Sequence, residues 1–230
     1  MILLIVSITL VGCSASTHAL ESDVLELNSS VYDELIAEYE NMVHFRLSED
    51  AYTRLEQGEH YEISDYLKVA IPDELAYAWG NMFVELPSGL DNPQISDFGY
   101  LLKDINEDGW LEIFWIRSDG RILAIFSVAE GSPVLVGAYW SRSTVSVIGK
   151  GSLLVQSSGG WNTQNYQVIQ ICSNGKLQIL AEFGQDMGQA YQIADKKKIT
   201  IDQARFAELI ETYVEVEAHD LSKGIQFFGT

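Results

Sequence analysis

Basic residues are scarce in this chain. There are 14 Lys and Arg against 33 Asp and Glu, a net charge of −19. Phosphate backbones are bound by clustered cations, so nucleic acid is excluded as a partner. The same shortage disfavours binding to anionic lipid headgroups and other polyanions. Cysteine is scarcer still, at two in 230 residues, too few for a disulfide framework. His18, His44, His60 and His219 are scattered without metal-ligand spacing. No Gly-x-Ser-x-Gly elbow, Walker loop, His-Glu-x-x-His or Gly-x-Gly-x-x-Gly occurs, which removes the commonest motif-readable hydrolases and nucleotide enzymes.

What the chain has in quantity is acid, and one segment sets oxygen donors at alternate positions: Asp104-Ile-Asn106-Glu-Asp108-Gly109-Trp110-Leu-Glu112. Calcium takes about six to eight oxygen ligands, and a loop curled around it presents side chains at positions 1, 3 and 5, a backbone carbonyl at 7 and a carboxylate further on. Here these are Asp104, Asn106, Asp108, the Trp110 carbonyl and Glu112. Gly109 at position 6 permits the sharp turn. The segment departs from an EF-hand, because position 12 is Trp115 and the flanks read as strands. An empty Asx-type turn between two strands is the competing reading.

Met1 to Gly12 carries no charge and has the length of a signal-peptide apolar region, short of the roughly 20 residues a spanning helix needs. No Lys or Arg precedes the run, which suggests that the true start lies upstream or that Met1 is not the start. The run ends in Leu10-Val11-Gly12-Cys13, which resembles the bacterial lipobox, whose cysteine is diacylated on sulfur and becomes the mature N-terminus. That resemblance implies export and a lipid anchor through Cys13 on the outer face of the cytoplasmic membrane. With Cys13 taken by lipid, Cys172 is left without a disulfide partner and reads as a small buried hydrophobe.

The expected organisation is a signal peptide over residues 1–12, a lipidated tether over 13–29, a helical region over 30–95 and a β-rich region with a closing helix over 96–230. Ser30 with Asp33 forms a capping pattern, and Val31, Leu35, Tyr39 and Met42 recur at helical spacing. A second helix is expected over 73–83, with Pro72 in its first turn. From Gly99 the period changes to that of strands, over 100–103, 111–117, 122–128, 134–139, 144–148, 153–157, 166–172 and 177–181. Asp119-Gly120 and Asn174-Gly175 are hairpin signals. Thr200 and Gln203 offer a capping box for a last helix through Phe206, Leu209, Ile210, Tyr213 and Val214. Ile225 to Phe228 reads as an edge strand. The fold class is α+β: an N-terminal helical segment, an antiparallel hairpin sheet forming a sandwich, barrel or partial propeller, and a C-terminal helix packed on the sheet.

The order of lipobox, helix Val31-Tyr-Asp-Glu-Leu, segment Tyr-x-x-x-Asp-x-Asn-x-Asp-Gly-x-x-Glu (Tyr100 to Glu112), hairpins, turn Ser157-Ser-Gly-Gly160 and closing helix resembles uncharacterised secreted lipoproteins of Gram-positive bacteria. The metal segment is also similar to calcium loops in FG-GAP repeats of β-propellers. The resemblance implies a surface lipoprotein with one calcium loop and brings no activity with it.

The leading functional expectation is therefore a non-catalytic, calcium-stabilised lipoprotein that binds a protein or other component of the envelope. A carbohydrate-binding module is the alternative, with Trp140, Trp161 and Tyr166 as aromatic platforms beside the amides of Trp161-Asn-Thr-Gln-Asn-Tyr166. A secreted hydrolase is the third reading, because the many acids guarantee carboxylate pairs that only geometry can sort.

Overall fold

A computed structural model describes residues 29–48, 50–56, 71–173 and 175–229. The signal-like run, Cys13 and the tether up to residue 28 lie outside them. The first helix, α1 (Asp33–Leu47), follows a single 3-10 turn, Ser30–Tyr32. That turn replaces the expected cap, and no side-chain cap bond is made at Tyr32, which precedes the helix. Acids at Asp33 and Glu34 and bases at His44 and Arg46 complement the helix dipole. The predicted stripe Leu35, Tyr39 and Met42 is buried, joined by Val43 and Phe45.

After the short α2 (Ala51–Glu56), α3 (Asp73–Glu85) forms where expected and runs two residues further. Pro72 is its N-cap rather than a residue of its first turn. Buried Arg46 binds the other end of α3, donating from Nε to Phe83 O (3.0 Å) and from Nη2 to Val84 O (2.5 Å). Carbonyls left open at a helix end are thereby satisfied.

Two antiparallel sheets follow, and neither closes into a barrel. The first contains β1 (Phe98–Lys103), β2 (Glu112–Arg117), β3 (Ile122–Ala129), β4 (Ser132–Ala138) and β11 (Gln226–Phe227), in the order β11-β1-β2-β3-β4. The second contains β5 (Ser143–Gly149), β6 (Ser152–Gly160), β7 (Thr163–Ile171), β8 (Leu177–Asp186), β9 (Gln189–Ala194) and β10 (Lys197–Thr200), in the order β10-β9-β8-β7-β6-β5. The closing helix is α4 (Gln203–Tyr213).

Three cores stack these parts into four layers. Helices α1 and α3 pack on the first sheet around Tyr39, Trp79, Trp115 and Phe126, with Tyr39 stacked on Trp115 at 4.1 Å. The other face of that sheet meets the second through Phe114, Ile116, Ile125, Val147, Leu153 and Ile169. Leu209 and Phe206 of α4 cover the outer face of the second sheet at Tyr166, Val168 and Phe183. Strands β2 and β3 are thus covered on both faces and buried almost throughout. That is why Ile113 to Ile116 and Ile122 to Phe126 read as continuous apolar runs instead of alternating ones.

Several local expectations are corrected. Thr200 ends β10, and the cap of α4 is Asp202, whose Oδ1 accepts from Arg205 N at 2.8 Å. Ser157 to Gly160 is the end of β6, and the turn is Trp161-Asn162. Strands β9 and β10 carry no apolar run to announce them; two-residue turns with both members at positive φ, Met187-Gly188 and Asp195-Lys196, make the hairpins. Cys172 is half-buried just past β7 and is disulfide-bonded, with its partner outside the described residues. It is not the unpaired, buried thiol expected.

Candidate functional site: the loop between β1 and β2

The oxygen-rich segment is the connection between β1 and β2, and its first three predicted ligands turn back on the loop's own amides. Asp104 accepts from Asp108 N (3.3 Å, Oδ1) and Gly109 N (2.9 Å, Oδ2). Asn106 Oδ1 accepts from Asp108 N at 3.1 Å, and its Nδ2 donates to Asp108 Oδ2 at 3.1 Å. Asp108 Oδ1 accepts from the Trp110 N–H at 2.8 Å. These bonds hold Glu107 (φ 57°) and Gly109 (φ 90°) in the left-handed region, where glycine rests without strain and glutamate does not.

Glu112 behaves differently. As the first residue of β2 it is fully buried, its carboxylate accepting from Ile105 N (3.0 Å) and from Ser127 Oγ on β3 (3.1 Å). Burial pushes its pKa from the ordinary 4.5 to about 8; the two hydrogen bonds oppose that rise, and the Asp108 and Asp104 charges add to it. No basic side chain is among the groups that shift it. Lys103, its register partner on β1, instead acts on Asp220. Asp108 is raised in the same direction, chiefly by desolvation.

The loop is also a junction. Tyr32, in the 3-10 turn before α1, donates its hydroxyl to Leu111 O at 2.6 Å. Gly151, in the β5–β6 turn, donates its N–H to Ile105 O at 2.5 Å and packs so close that a Cβ there would lie 2.7 Å from Asn106 Cβ. Lys150 of the same turn pairs with Glu107 at 2.6 Å. Helical region and both sheets therefore touch one eight-residue connection. Tyr32, Ser127, Lys150 and Gly151 are partners the sequence does not signal, because each lies 15 or more residues away along the chain with no motif of its own.

Among the described residues no group of three or more His, Cys, Asp or Glu side chains is arranged to hold a metal. The donor chemistry nonetheless fits a hard cation: three carboxylates, one amide oxygen and nearby carbonyls are all oxygen donors.

The three aromatic residues expected as a platform are not brought together. Trp140 is half-buried against the helical core, edge-on to Tyr77 at 6.0 Å. Tyr166 is buried, stacked on Phe183 at 5.1 Å. Trp161 stands at the β6–β7 tip, 88% exposed. A separate cavity of about 480 Å³ lies between Ile116, Ile122, Val147 and the C-terminal residues His219, Leu221 and Phe227. Compared with known protein families, curated proteins and solved structures, the chain finds no match.

Proposed function

We propose that the protein is a non-catalytic interaction protein of the bacterial envelope, anchored by lipid on Cys13, whose β1–β2 loop holds a structural calcium ion. The observation that carries the calcium reading is Glu112, a fully buried carboxylate facing Asp104 and Asp108 with no cation among the groups that act on it. A divalent ion held by Asp104, Asn106, Asp108, the Trp110 carbonyl and Glu112 supplies the missing positive charge. Its role is mechanical, because the loop joins the helical region to both sheets. It brings no reaction.

The test is a melting curve with EDTA and with millimolar calcium. At a hundredfold excess over the dissociation constant the ion adds about 2.7 kcal/mol, or roughly 5–10 °C for a chain of this size. Asp108→Ala removes most of that shift. Glu107→Ala keeps it, because Glu107 points outward to Lys150. Equal calcium shifts in wild type and Asp108→Ala mean that the segment is only a turn.

A further inference from the structure

The β6–β7 tip combines two features that point to a ligand. Trp161 is 88% exposed, and a large indole in water at the end of a hairpin contributes nothing to a core. Flanking it, Gly160 and Asn162 belong to the lining of a concavity of about 400 Å³ completed by Ser158, Thr163, Gln164 and Gln185. Every lining side chain is uncharged, in a chain whose net charge is −19.

The lining follows from register. Ser158 pairs with Gln164, and Gln164 with Gln185, so three polar side chains stand in one row across β6, β7 and β8. Tyr166 donates its hydroxyl to Gln164 Oε1 at 3.2 Å, and among the described residues the NH₂ of that amide makes no bond to protein. Among the described residues the Asn162 and Gln185 amides make no side-chain bond to protein. A flat apolar plate beside neutral amide donors and acceptors matches a pyranose, which offers C–H groups on one face and hydroxyls around its rim.

We propose that the β6–β7 tip, Trp161 with Asn162, Gln164 and Gln185, binds an uncharged glycan. This rests on the reading of the chain as an envelope-binding protein, but not on its calcium loop. Strand β6 runs from the turn that touches the loop to the tip itself, which separates the two by roughly 25–30 Å at about 3.3 Å per residue.

The experiment uses soluble hexasaccharides of glucose, mannose, galactose and N-acetylglucosamine at millimolar concentration, with phosphatidylcholine vesicles as the competing probe. Tryptophan emission of wild type minus Trp161→Ala isolates this residue from the buried Trp79 and Trp115. At least one hexasaccharide shifts that difference spectrum saturably. By titration calorimetry, Trp161→Ala weakens binding by about tenfold or more, the equivalent of 1.4 kcal/mol, Trp161→Tyr restores part of it, and Gln164→Ala with Gln185→Ala weakens it severalfold. Trp161→Ala and Trp161→Tyr melt with wild type, because that side chain is 88% exposed. Three results overturn the inference: no response to any sugar, unchanged binding in Trp161→Ala, or a Trp161-dependent response to vesicles alone. A calcium melting shift without a glycan response leaves the loop reading standing, and glycan binding without a calcium shift does the reverse.

Discussion

Glu112 is the residue on which pH dependence turns. Its pKa is about 8 in the folded chain against an ordinary 4.5. Between those values the folded state holds a proton that the unfolded state has lost, so stability falls as pH rises through the window. Asp108 shifts in the same sense. Asp97, Asp119 and Glu85 are lowered by their hydrogen bonds and by nearby arginines; their contributions are lost only as pH falls below the ordinary carboxylate range, outside this window. In EDTA, the melting temperature is therefore expected to decline from pH 4.5 to pH 8. Glu112→Gln, which keeps the shape and removes the charge, flattens that decline. On the proposed calcium reading, millimolar calcium is expected to oppose the decline, because an ion bound there would select the ionised carboxylate and release its proton. Parallel pH profiles for wild type and Glu112→Gln in EDTA count against the buried charge as the cause. The oxygen at position 9 is legible in the sequence; its burial is not, because burial comes from β3 and from Tyr32 packing over the loop.

At the scale of elements, apolar runs and glycine-bearing turns are legible, and polar hairpins are not. Asp119-Gly120 forms its hairpin, with Gly120 at φ 82° and Asp119 outside the left-handed region, so it is a three-residue loop rather than a two-residue one. Met187-Gly188 and Asp195-Lys196 form two-residue turns with residues that seldom advertise them. The edge strand at the C-terminus is anchored at one glycine. A Cβ on Gly99 would overlap the Gln226 carbonyl oxygen and lie 2.9 Å from Phe227 Cα. Gly99→Ala is expected to expel β11 from β1 and cost about 1–3 kcal/mol. Amide exchange reads this directly: the Phe228 N–H, bonded to Phe98 O at 2.9 Å, loses protection in the variant. Unchanged protection there means that the sheet shifts to accommodate the methyl and β11 stays.

For the whole molecule, the proposed anchor and the cysteines are linked. Cys172 is disulfide-bonded in the structure, and a sulfur alkylated by lipid has no valence left for such a bond. Lipidation of Cys13 therefore predicts a mature protein that starts at Cys13, carries a diacylglyceryl adduct and has a Cys172 thiol that alkylates on denaturation. Intact mass with and without iodoacetamide checks this. An unlipidated chain, two mass units light and inert to iodoacetamide, overturns the anchor. None of the described helices is long and apolar enough to cross a membrane, so the proposed attachment rests on the acyl chains, whose binding scales with buried CH₂ groups.

The sequence by itself determined the local quantities: helical stripes on α1 and α4, strand runs, the spacing of oxygen donors from Asp104 to Glu112, and the acidic charge balance. These depend on neighbours within a few residues, where period and turn chemistry operate. The tertiary structure alone decided that the hairpins divide into two open sheets, that Trp140 and Tyr166 go into cores while Trp161 stays in water, and that the β1–β2 loop joins the helical region to both sheets. Those outcomes depend on which faces bury each other, and face-to-face burial is set by contacts between residues far apart in the chain.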